Sequence, residues 1–161
     1  MILAIDVYYF NDKAKVVGVL FENWGDEAPL DIITFYKNNI AEYESGAFYK
    51  RELPCIIELL EKIDVKTIKT IVVDSFAYLD DNKKLGLGGY LYQYLEEKIP
   101  IIGVAKTSFY NNKKYVKELY RGKSKKALYI NTAGIDIAEA TENIKKMHGN
   151  FRMPTLLKLL D

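Results

Sequence analysis

The first part of the chain alternates apolar runs with short polar breaks, a pattern typical of β-strands. Residues 2–10 and 14–21 are rich in Val, Ile, Leu and Tyr, and the polar residues 11–13 between them favour a tight turn. A third run covers residues 30–37 after a polar loop. This order predicts an antiparallel meander of three strands. Its first strand carries one acid, Asp6, in the middle of an apolar run.

The later part of the chain alternates helical and strand patterns. Residues 52–63 have apolar side chains at the spacing of one helical face, and Pro54 is tolerated near a helix start. Helices are also predicted over 90–99 and 135–147, with a short one after Pro154. The apolar runs 69–74, 100–106 and 126–131 predict buried strands. Together these elements indicate one mixed α/β sheet, an antiparallel meander plus parallel strands flanked by helices, as in ribonuclease H-like folds.

Composition adds limits to this picture. With 161 residues and 49% hydrophobic content, the chain is expected to form one domain over 1–161. The net charge of +1 gives no global attraction to polyanions, so a nucleic-acid partner would need local basic patches. A single cysteine excludes a disulfide framework and fits the cytoplasm. The apolar runs are too short to cross a membrane, and Asp6 interrupts the first, so we expect neither a membrane partner nor a signal peptide.

Several kinds of catalytic site lack the residues they need. The sequence has one histidine, His148, which lies in a polar segment. A histidine-rich zinc site or a Ser-His-Asp triad is therefore not expected. Neither G-x-x-x-x-G-K-[ST] nor G-x-S-x-G occurs. The glycines of residues 86–89 could cradle a phosphate, although a flexible helix entry is the favoured interpretation. We therefore expect no small-molecule cofactor.

Three carboxylates remain as candidates for chemistry. Asp6 lies inside the first strand, Glu52 at the start of the first helix, and Asp74 at the end of a buried strand. Since the carboxyl ends of parallel strands face a shared crevice, these three could converge. Crowded carboxylates repel unless a cation neutralises them, and Mg²⁺ or Mn²⁺ prefers such oxygen ligands. The alternative is an ordinary role for each acid in a turn, at a helix start and at a solvent-facing edge.

A basic and aromatic segment covers residues 109–126. Tyrosines alternate there with seven cations, a composition typical of nucleic-acid surfaces: Lys113, Lys114, Lys117, Arg121, Lys123, Lys125 and Lys126. Lys113, Lys114 and Arg121 are our candidates for contacts with nucleic acid. The alternative is an exposed, solvated hairpin.

Four motifs resemble, in order, those of one known family. "IDVYY" looks like a D-x-x-Y element, and "YESGAFYKRE" is similar to Y-[VI]-P-G-x-L-x-F-R-E. "IPIIGVAK" is close to P-x-[IV]-G-V-A-K, and "FRMPTLLKLLD" resembles a Y-R-x-P-x-x-x-x-x-x-D tail. The family is endonuclease V, metal-dependent nucleases that recognise deaminated purines, chiefly hypoxanthine (inosine), in nucleic acid. The chain would be a short, divergent member with a ribonuclease H-like fold.

The resemblance implies roles for specific residues. Asp6, Glu52 and Asp74 would hold Mg²⁺, or Mn²⁺, for phosphodiester hydrolysis, and Lys106 would lie near the scissile phosphate as a fourth catalytic residue. Tyr43 occupies the position of the family's wedge tyrosine. Ser45 and Gly46 would form the adjoining turn, with serine in place of the family's proline.

The sequence also departs from the family pattern. The loop "DSFAYLDDNKK" replaces a glycine-rich loop, and Ile135 stands where the family has a histidine, with Asp136 next to it as a possible substitute. Two hypotheses follow. The first is a Mg²⁺-dependent endonuclease that cleaves DNA or RNA near deaminated purines. The second is a catalytically impaired nucleic-acid-binding module of the same fold.

Overall fold

A seven-stranded mixed sheet organises the chain, seen here in a computed structural model that describes residues 1–38, 42, 49–108 and 111–161. The strands are β1 (Ile2–Phe10), β2 (Lys13–Phe21), β3 (Asp31–Lys37), β4 (Thr70–Val73), β5 (Ile101–Ala105), β6 (Lys117–Leu119) and β7 (Leu128–Ala133). The helices are α1 (Tyr49–Glu61), α2 (Leu87–Tyr94), α3 (Ile137–Lys145) and α4 (Thr155–Lys158), with a 3-10 turn at Val65–Thr67. Across the described ranges, we find no helix with the length and apolar character needed to cross a membrane.

The strand order β3-β2-β1-β4-β5-β7-β6 combines two kinds of pairing. β1, β2 and β3 form the predicted antiparallel meander. β4 is parallel to both β1 and β5, and β7 pairs antiparallel with β5 and with the short edge strand β6. The parallel strands β1, β4 and β5 therefore lie at the centre, where their carboxyl ends share one edge of the sheet.

Helices cover both faces of the sheet, and the alternation of side chains along β1 separates two cores. Leu3 and Ile5 point to a core closed by α1 and α2, where Leu59 and Leu91 are fully buried. Ala4 belongs to the opposite core, which α3 and α4 close. Asp6 continues the second set, because it is two residues beyond Ala4, and so it faces the side covered by α3 and α4.

Two elements differ most from the sequence-based expectation, while α1 begins at Tyr49 rather than at residue 52. The helix expected over 90–99 is α2, Leu87–Tyr94, which begins and ends earlier. It begins earlier because its glycines allow close packing: a Cβ on Gly89 would lie 2.5 Å from the carbonyl oxygen of Ala77. It ends earlier because Glu96 and Glu97 have left-handed backbone conformations, with φ of 57° and 59°. The edge strand β6 was not predicted, because two of its three residues are exposed and charged.

The glycines of residues 86–89 serve the fold. The amide of Gly86 donates to the carbonyl of Ala77 at 2.9 Å, and those of Gly88 and Gly89 donate to Phe76 and Ala77, both at 3.1 Å. A phosphate bound at this stretch would need the same amide donors, which are already used within the fold. The favoured interpretation of this stretch as a helix entry fits this arrangement.

Asn131 fixes the backbone where the chain leaves β4. Its side chain is 1% exposed, its Oδ1 accepts from the amide of Ala77 at 2.7 Å, and its Nδ2 donates to the carbonyls of Ser75 and Gly103, both at 3.2 Å. A Cβ on Gly103 would lie 2.2 Å from Asn131 Oδ1, so only glycine allows this approach. Because Ser75 directly follows Asp74, the amide holds the start of the loop that carries a candidate carboxylate.

Replacing Asn131 with alanine should destabilise the fold. Asn131→Ala leaves the amide of Ala77 unsatisfied in a buried place and opens a small cavity, so we expect a loss of about 2–4 kcal/mol in the free energy of unfolding. Urea denaturation measures it. The control Asn23→Ala, at an exposed position, should stay within about 0.5 kcal/mol of the wild type. A loss below about 1 kcal/mol for Asn131→Ala would contradict the role given to this side chain.

Candidate active site

The register of two parallel strands brings Asp6 and Asp74 together. Ile5 of β1 pairs with Val73 of β4, so Asp6 and Asp74 are the next residues along neighbouring strands. Their side chains emerge on the same face, because paired residues in a parallel register point the same way. β4 ends at Val73, whereas β1 continues to Phe10 alongside β2. Asp6 thus lies in the middle of its own strand but at the edge of the parallel sheet, which explains an acid inside an apolar run.

A cavity opens at this edge and collects polar side chains from four segments. Asp6 comes from β1, Asp74 follows β4, Lys106 follows β5, and Asp161 follows α4. Its remaining lining is apolar: Val72, Val73, Val104, Met153, Leu157 and Leu160. The charged groups therefore lie at the rim of the core that α4 closes, where a low dielectric strengthens their interactions.

Glu52 approaches from the other side of the sheet. It lies in the first turn of α1, the helix that packs on the opposite core. Burial, and then the charges of Asp6 and Asp74, raise the pKa of Glu52 to about 8. Burial and the neighbouring Asp74 raise the pKa of Asp6 to about 6. The three carboxylates therefore repel one another, although Glu52 belongs to a different layer of the fold.

The carboxylate of Asp74 is more exposed than the other two. Burial still raises its pKa, while the positive charge of Lys106 acts in the opposite direction and the charge of Asp161 reinforces the rise. One oxygen of Asp6 is fixed by the amide of Val7, which donates to Oδ1 at 2.8 Å. The backbone of β1 thus orients the Asp6 carboxylate. The positive charge of Lys106, which follows β5, partly offsets the negative charge of Asp74.

The donor set fits a hard divalent cation that keeps part of its water shell. Within the ranges that the structure describes, no three carboxylate, imidazole or thiol groups come close enough together to hold one ion. Mg²⁺ is commonly bound by only one or two carboxylates and retains several waters. The carboxylates of Asp6 and Asp74, which follow each other on adjacent strands, match this number and type of donor. Direct ligation by Glu52 as well stays a prediction.

Asp161 joins the site, a role that the sequence did not suggest. The hydroxyl of Tyr8 donates to Asp161 Oδ1 at 2.7 Å, and Lys106 Nζ lies 3.9 Å from the same oxygen. Tyr8 shares the face of Asp6, two residues further along β1. The only signal in the sequence was the tail motif "FRMPTLLKLLD", which ends on this aspartate but assigns it no task.

The backbone at Lys106 is held by an arginine from the tail. The guanidinium of Arg152 donates to the carbonyl of Lys106 and also to that of Ala127, the latter at 2.7 Å from Nη2. Lys106 keeps an exposed side chain directed toward the acids, since its charge lowers the pKa of both Asp6 and Asp74 against the effect of burial. The lysine therefore lies where a negatively charged substrate would meet the acidic pair.

The remaining residues that the sequence suggested for nucleic-acid binding differ in where they lie. Tyr43, Ser45 and Gly46 fall outside the described residues. Lys113 and Lys114 are exposed in the loop that follows β5.

Arg121 corrects our expectation of a surface contact, because it is only 5% exposed. Its guanidinium donates to the carbonyls of Met147 at 2.7 Å and Gly149 at 3.0 Å, and also to that of Phe151. Arg121 thus ties the segment before β7 to the turn after α3, and we leave it out of any nucleic-acid interface.

Comparison of the sequence with known protein families identifies the family of this chain. The family model described as endonuclease V matches residues 1–146. The chain belongs to the endonuclease V family. No curated protein sequence matches it.

Solved structures agree with this family in fold. The crystal structure of endonuclease V from Bacillus subtilis superposes with a TM-score of 0.76 at 18% identity, covering 98% of this chain and 76% of that one. Ciona intestinalis endonuclease V, in complex with DNA containing an inosine followed by a ribo-adenosine, gives a TM-score of 0.81 at 14% identity, covering 98% and 80%. A protein of unknown function from Archaeoglobus fulgidus gives 0.61 at 17% identity, covering 99% and 92%. The predicted ribonuclease H-like mixed sheet is confirmed.

Asp136, considered above as a substitute for the family's histidine, does not lie beside the acidic pair. It begins α3, where its carboxylate caps the helix by accepting from the amide of Glu139. β7 runs antiparallel to β5 with Ala133 opposite Ile101, so the chain that follows β7 lies at the amino end of β5. Asp6, Asp74 and Lys106 lie at the opposite edge of the sheet.

Removing the charge of Glu52 should stabilise the protein in the absence of metal. Glu52→Gln keeps the shape of the side chain and removes a carboxyl whose pKa is raised to about 8, which at pH 7 must take up a proton in order to be buried beside Asp6 and Asp74, so we expect a gain on the order of 1 kcal/mol at that pH. Thermal unfolding in a chelator should show a melting temperature raised by about 2–4 °C.

A matched control separates this effect from a general change in helix charge. Glu61→Gln removes an exposed carboxylate in the last turn of the same helix and should leave the melting temperature within about 1 °C of the wild type. Equal or lower stability of Glu52→Gln than of the wild type would contradict the repulsion described above.

Proposed function

We propose that this protein is a metal-dependent endonuclease that hydrolyses phosphodiester bonds in DNA or RNA near deaminated purines such as hypoxanthine. The observation that carries the proposal is the side-by-side placement of Asp6 and Asp74 at the carboxyl edge of parallel strands, with Lys106 on the next strand. Membership of the endonuclease V family supports it. The choice of lesion draws on the inosine-containing DNA bound by the Ciona enzyme, which is a property of that protein.

The acidic residues would provide the metal site. Asp6 and Asp74 would hold Mg²⁺, or Mn²⁺, and Glu52 would complete the set from α1. A divalent cation held there would supply activation of water for attack on phosphorus and stabilisation of the leaving oxygen. The repulsion among these carboxylates, expressed in the raised pKa values of Asp6 and Glu52, favours binding of a positive ion at this place.

Lys106 and Asp161 would prepare the site for a phosphate. The ammonium of Lys106 would offset the negative charge that develops on the phosphate oxygens during hydrolysis. Asp161, 3.9 Å away, keeps that side chain at the cavity while Tyr8 donates to the same carboxylate. These contacts limit the freedom of the lysine before substrate arrives, so less orientation is needed when it binds.

Neutralising either central aspartate should slow cleavage strongly but preserve binding. Asp6→Asn and Asp74→Asn keep the size of each side chain and remove a metal ligand, and we expect cleavage to slow by about 10²-fold or more. The assay follows labelled DNA and RNA strands, with and without inosine, in Mg²⁺ or Mn²⁺. Binding to the same strands in a chelator should be unchanged or slightly tighter, because a negative charge is lost.

Two controls make the assay decisive. Asp12→Asn, in the exposed turn between β1 and β2, should cleave at the wild-type rate. Absence of cleavage by the wild type on every strand would overturn the enzyme proposal. If salt-sensitive binding remained in that case, the alternative of a catalytically impaired binding module would stand. Equal cleavage of strands with and without inosine would remove the lesion from the proposal.

A further inference from the structure

Two loops that leave the candidate site are joined to each other. One follows Asp74 at the end of β4, and the other follows Lys106 at the end of β5. We call residues 78–85 and 111–115 the two-loop platform. The first of these segments is the one that replaces the glycine-rich loop of the family.

The first segment is a compact turn with its own support. Tyr78 and Leu85 form an isolated β-bridge, and the amide of Leu79 donates to the carbonyl of Lys84 at 2.7 Å. Asp80 Oδ1 accepts from the amides of Asn82 at 2.9 Å and Lys84 at 3.0 Å. This local pairing closes the turn and leaves the neighbouring Asp81 free to reach the second segment.

Asp81 joins the two segments. Its Oδ1 accepts from the amides of Lys113 at 2.9 Å and Lys114 at 2.8 Å, and its own amide donates to the carbonyl of Asn111 at 3.2 Å. Asn112, 4% exposed, donates from Nδ2 to the carbonyl of Tyr78. The second segment is thus held just before the lysines, at Asn111 and Asn112, and at the main-chain amides of the two lysines.

Three lysines of the platform are placed by these contacts and by aromatic rings. Lys83 Nζ lies 5.5 Å from the ring centre of Tyr78 and 5.1 Å from that of Tyr115. Lys114 Nζ lies 5.5 Å from the ring centre of Tyr115, and Lys113 is exposed beside it. A ring face orients an ammonium without neutralising it, so these charges stay available to an anion.

We propose that the two-loop platform is a preorganised surface for the phosphate backbone of the bound strand next to the cleavage site, and that Asp81 is its positioning residue. The inference rests on the proposed function, because the two segments of the platform belong to the loops that follow Asp74 and Lys106 of the candidate site. Clustered lysines on loops that leave a phosphodiester-cleaving centre are suited to bind a nucleic-acid strand.

Because Asp81 is negatively charged, the direction in which its removal changes the affinity for nucleic acid tests the proposal. An acid on a basic surface repels a polyanion, so its removal should tighten binding if charge alone matters. If Asp81 instead places Lys113 and Lys114, its removal should weaken binding although the surface becomes more positive. Its two amide donors hold the pKa of the Asp81 carboxyl below its usual range, so the group stays ionised at neutral pH.

The experiment measures affinity of the full chain for a fluorescein-labelled DNA strand of mixed sequence by anisotropy, in chelator and at low salt. We expect Asp81→Ala to bind about 5-fold more weakly than the wild type. Lys114→Ala should also bind more weakly, with the slope of log affinity against log salt reduced by about one. Glu139→Ala removes an exposed acid at the far edge of the sheet and should bind as the wild type or slightly more tightly.

A double-mutant cycle tests whether Asp81 acts through the lysine. In a Lys114→Ala background, the loss caused by Asp81→Ala should shrink to about 2-fold or less. Binding by Asp81→Ala as tight as, or tighter than, that of the wild type would overturn the proposal.

A second variant keeps the proposal falsifiable if Asp81→Ala does not fold, as judged by circular dichroism. Tyr115→Leu removes the ring that faces Lys83 and Lys114 without changing any charge, and we expect about 2- to 3-fold weaker binding. Unchanged affinity would overturn the platform. A wild type that binds but does not cleave would overturn only the proposed function. A wild type that cleaves while Asp81→Ala binds normally would overturn only the platform.

Discussion

The pairing of β1 with β4 is the constraint on which the candidate site depends. Because Ile5 lies opposite Val73 in a parallel register, Asp6 and Asp74 must emerge together on one face of the sheet. A shift of one residue would turn Asp6 toward the core under α1, where an unpaired carboxylate would cost several kcal/mol. The apolar residues on either side of Asp6 hold this register, so the core and the acidic pair are fixed by the same strand.

Polar side chains that are buried or half-buried fix the loops at the ends of these strands. Asn131 holds the chain just after Asp74, and Arg152 holds the carbonyl of Lys106. Arg121 ties the turn after α3 to the segment that contains Arg152. The strand ends are therefore anchored by side chains from the last third of the chain, and the charged groups of the site lie on a fixed frame.

The sequence predicted most of the sheet because apolar runs report strands directly. It also indicated Asp6 and Asp74, since acids at the ends of parallel strands meet at one edge, whereas Lys106 was indicated only by the family resemblance. Other features depend on contacts that no local pattern encodes. Asp161 meets Tyr8 across 153 positions of sequence. In the sequence, Arg121 cannot be told apart from the exposed cations near it. Only the structure shows that it is buried and bonded to main-chain carbonyls.

The departures from the family pattern have a physical consequence. In this chain the loop after Asp74 carries Tyr78 and two lysines in place of glycines, and Asp81 links it to the loop after Lys106. Flexible glycines permit close approach to a base, whereas oriented lysines favour contact with phosphates. The acidic edge of the sheet is thus combined in this chain with loops that carry lysines.

The central claim is that Asp6 and Asp74 together bind a divalent cation. The most direct measurement is the anomalous diffraction of crystals soaked in Mn²⁺. The account predicts a peak within about 2.2 Å of an oxygen of each aspartate, and no such peak in crystals of Asp74→Asn. Well-ordered aspartates with no peak between them at millimolar Mn²⁺ would contradict it.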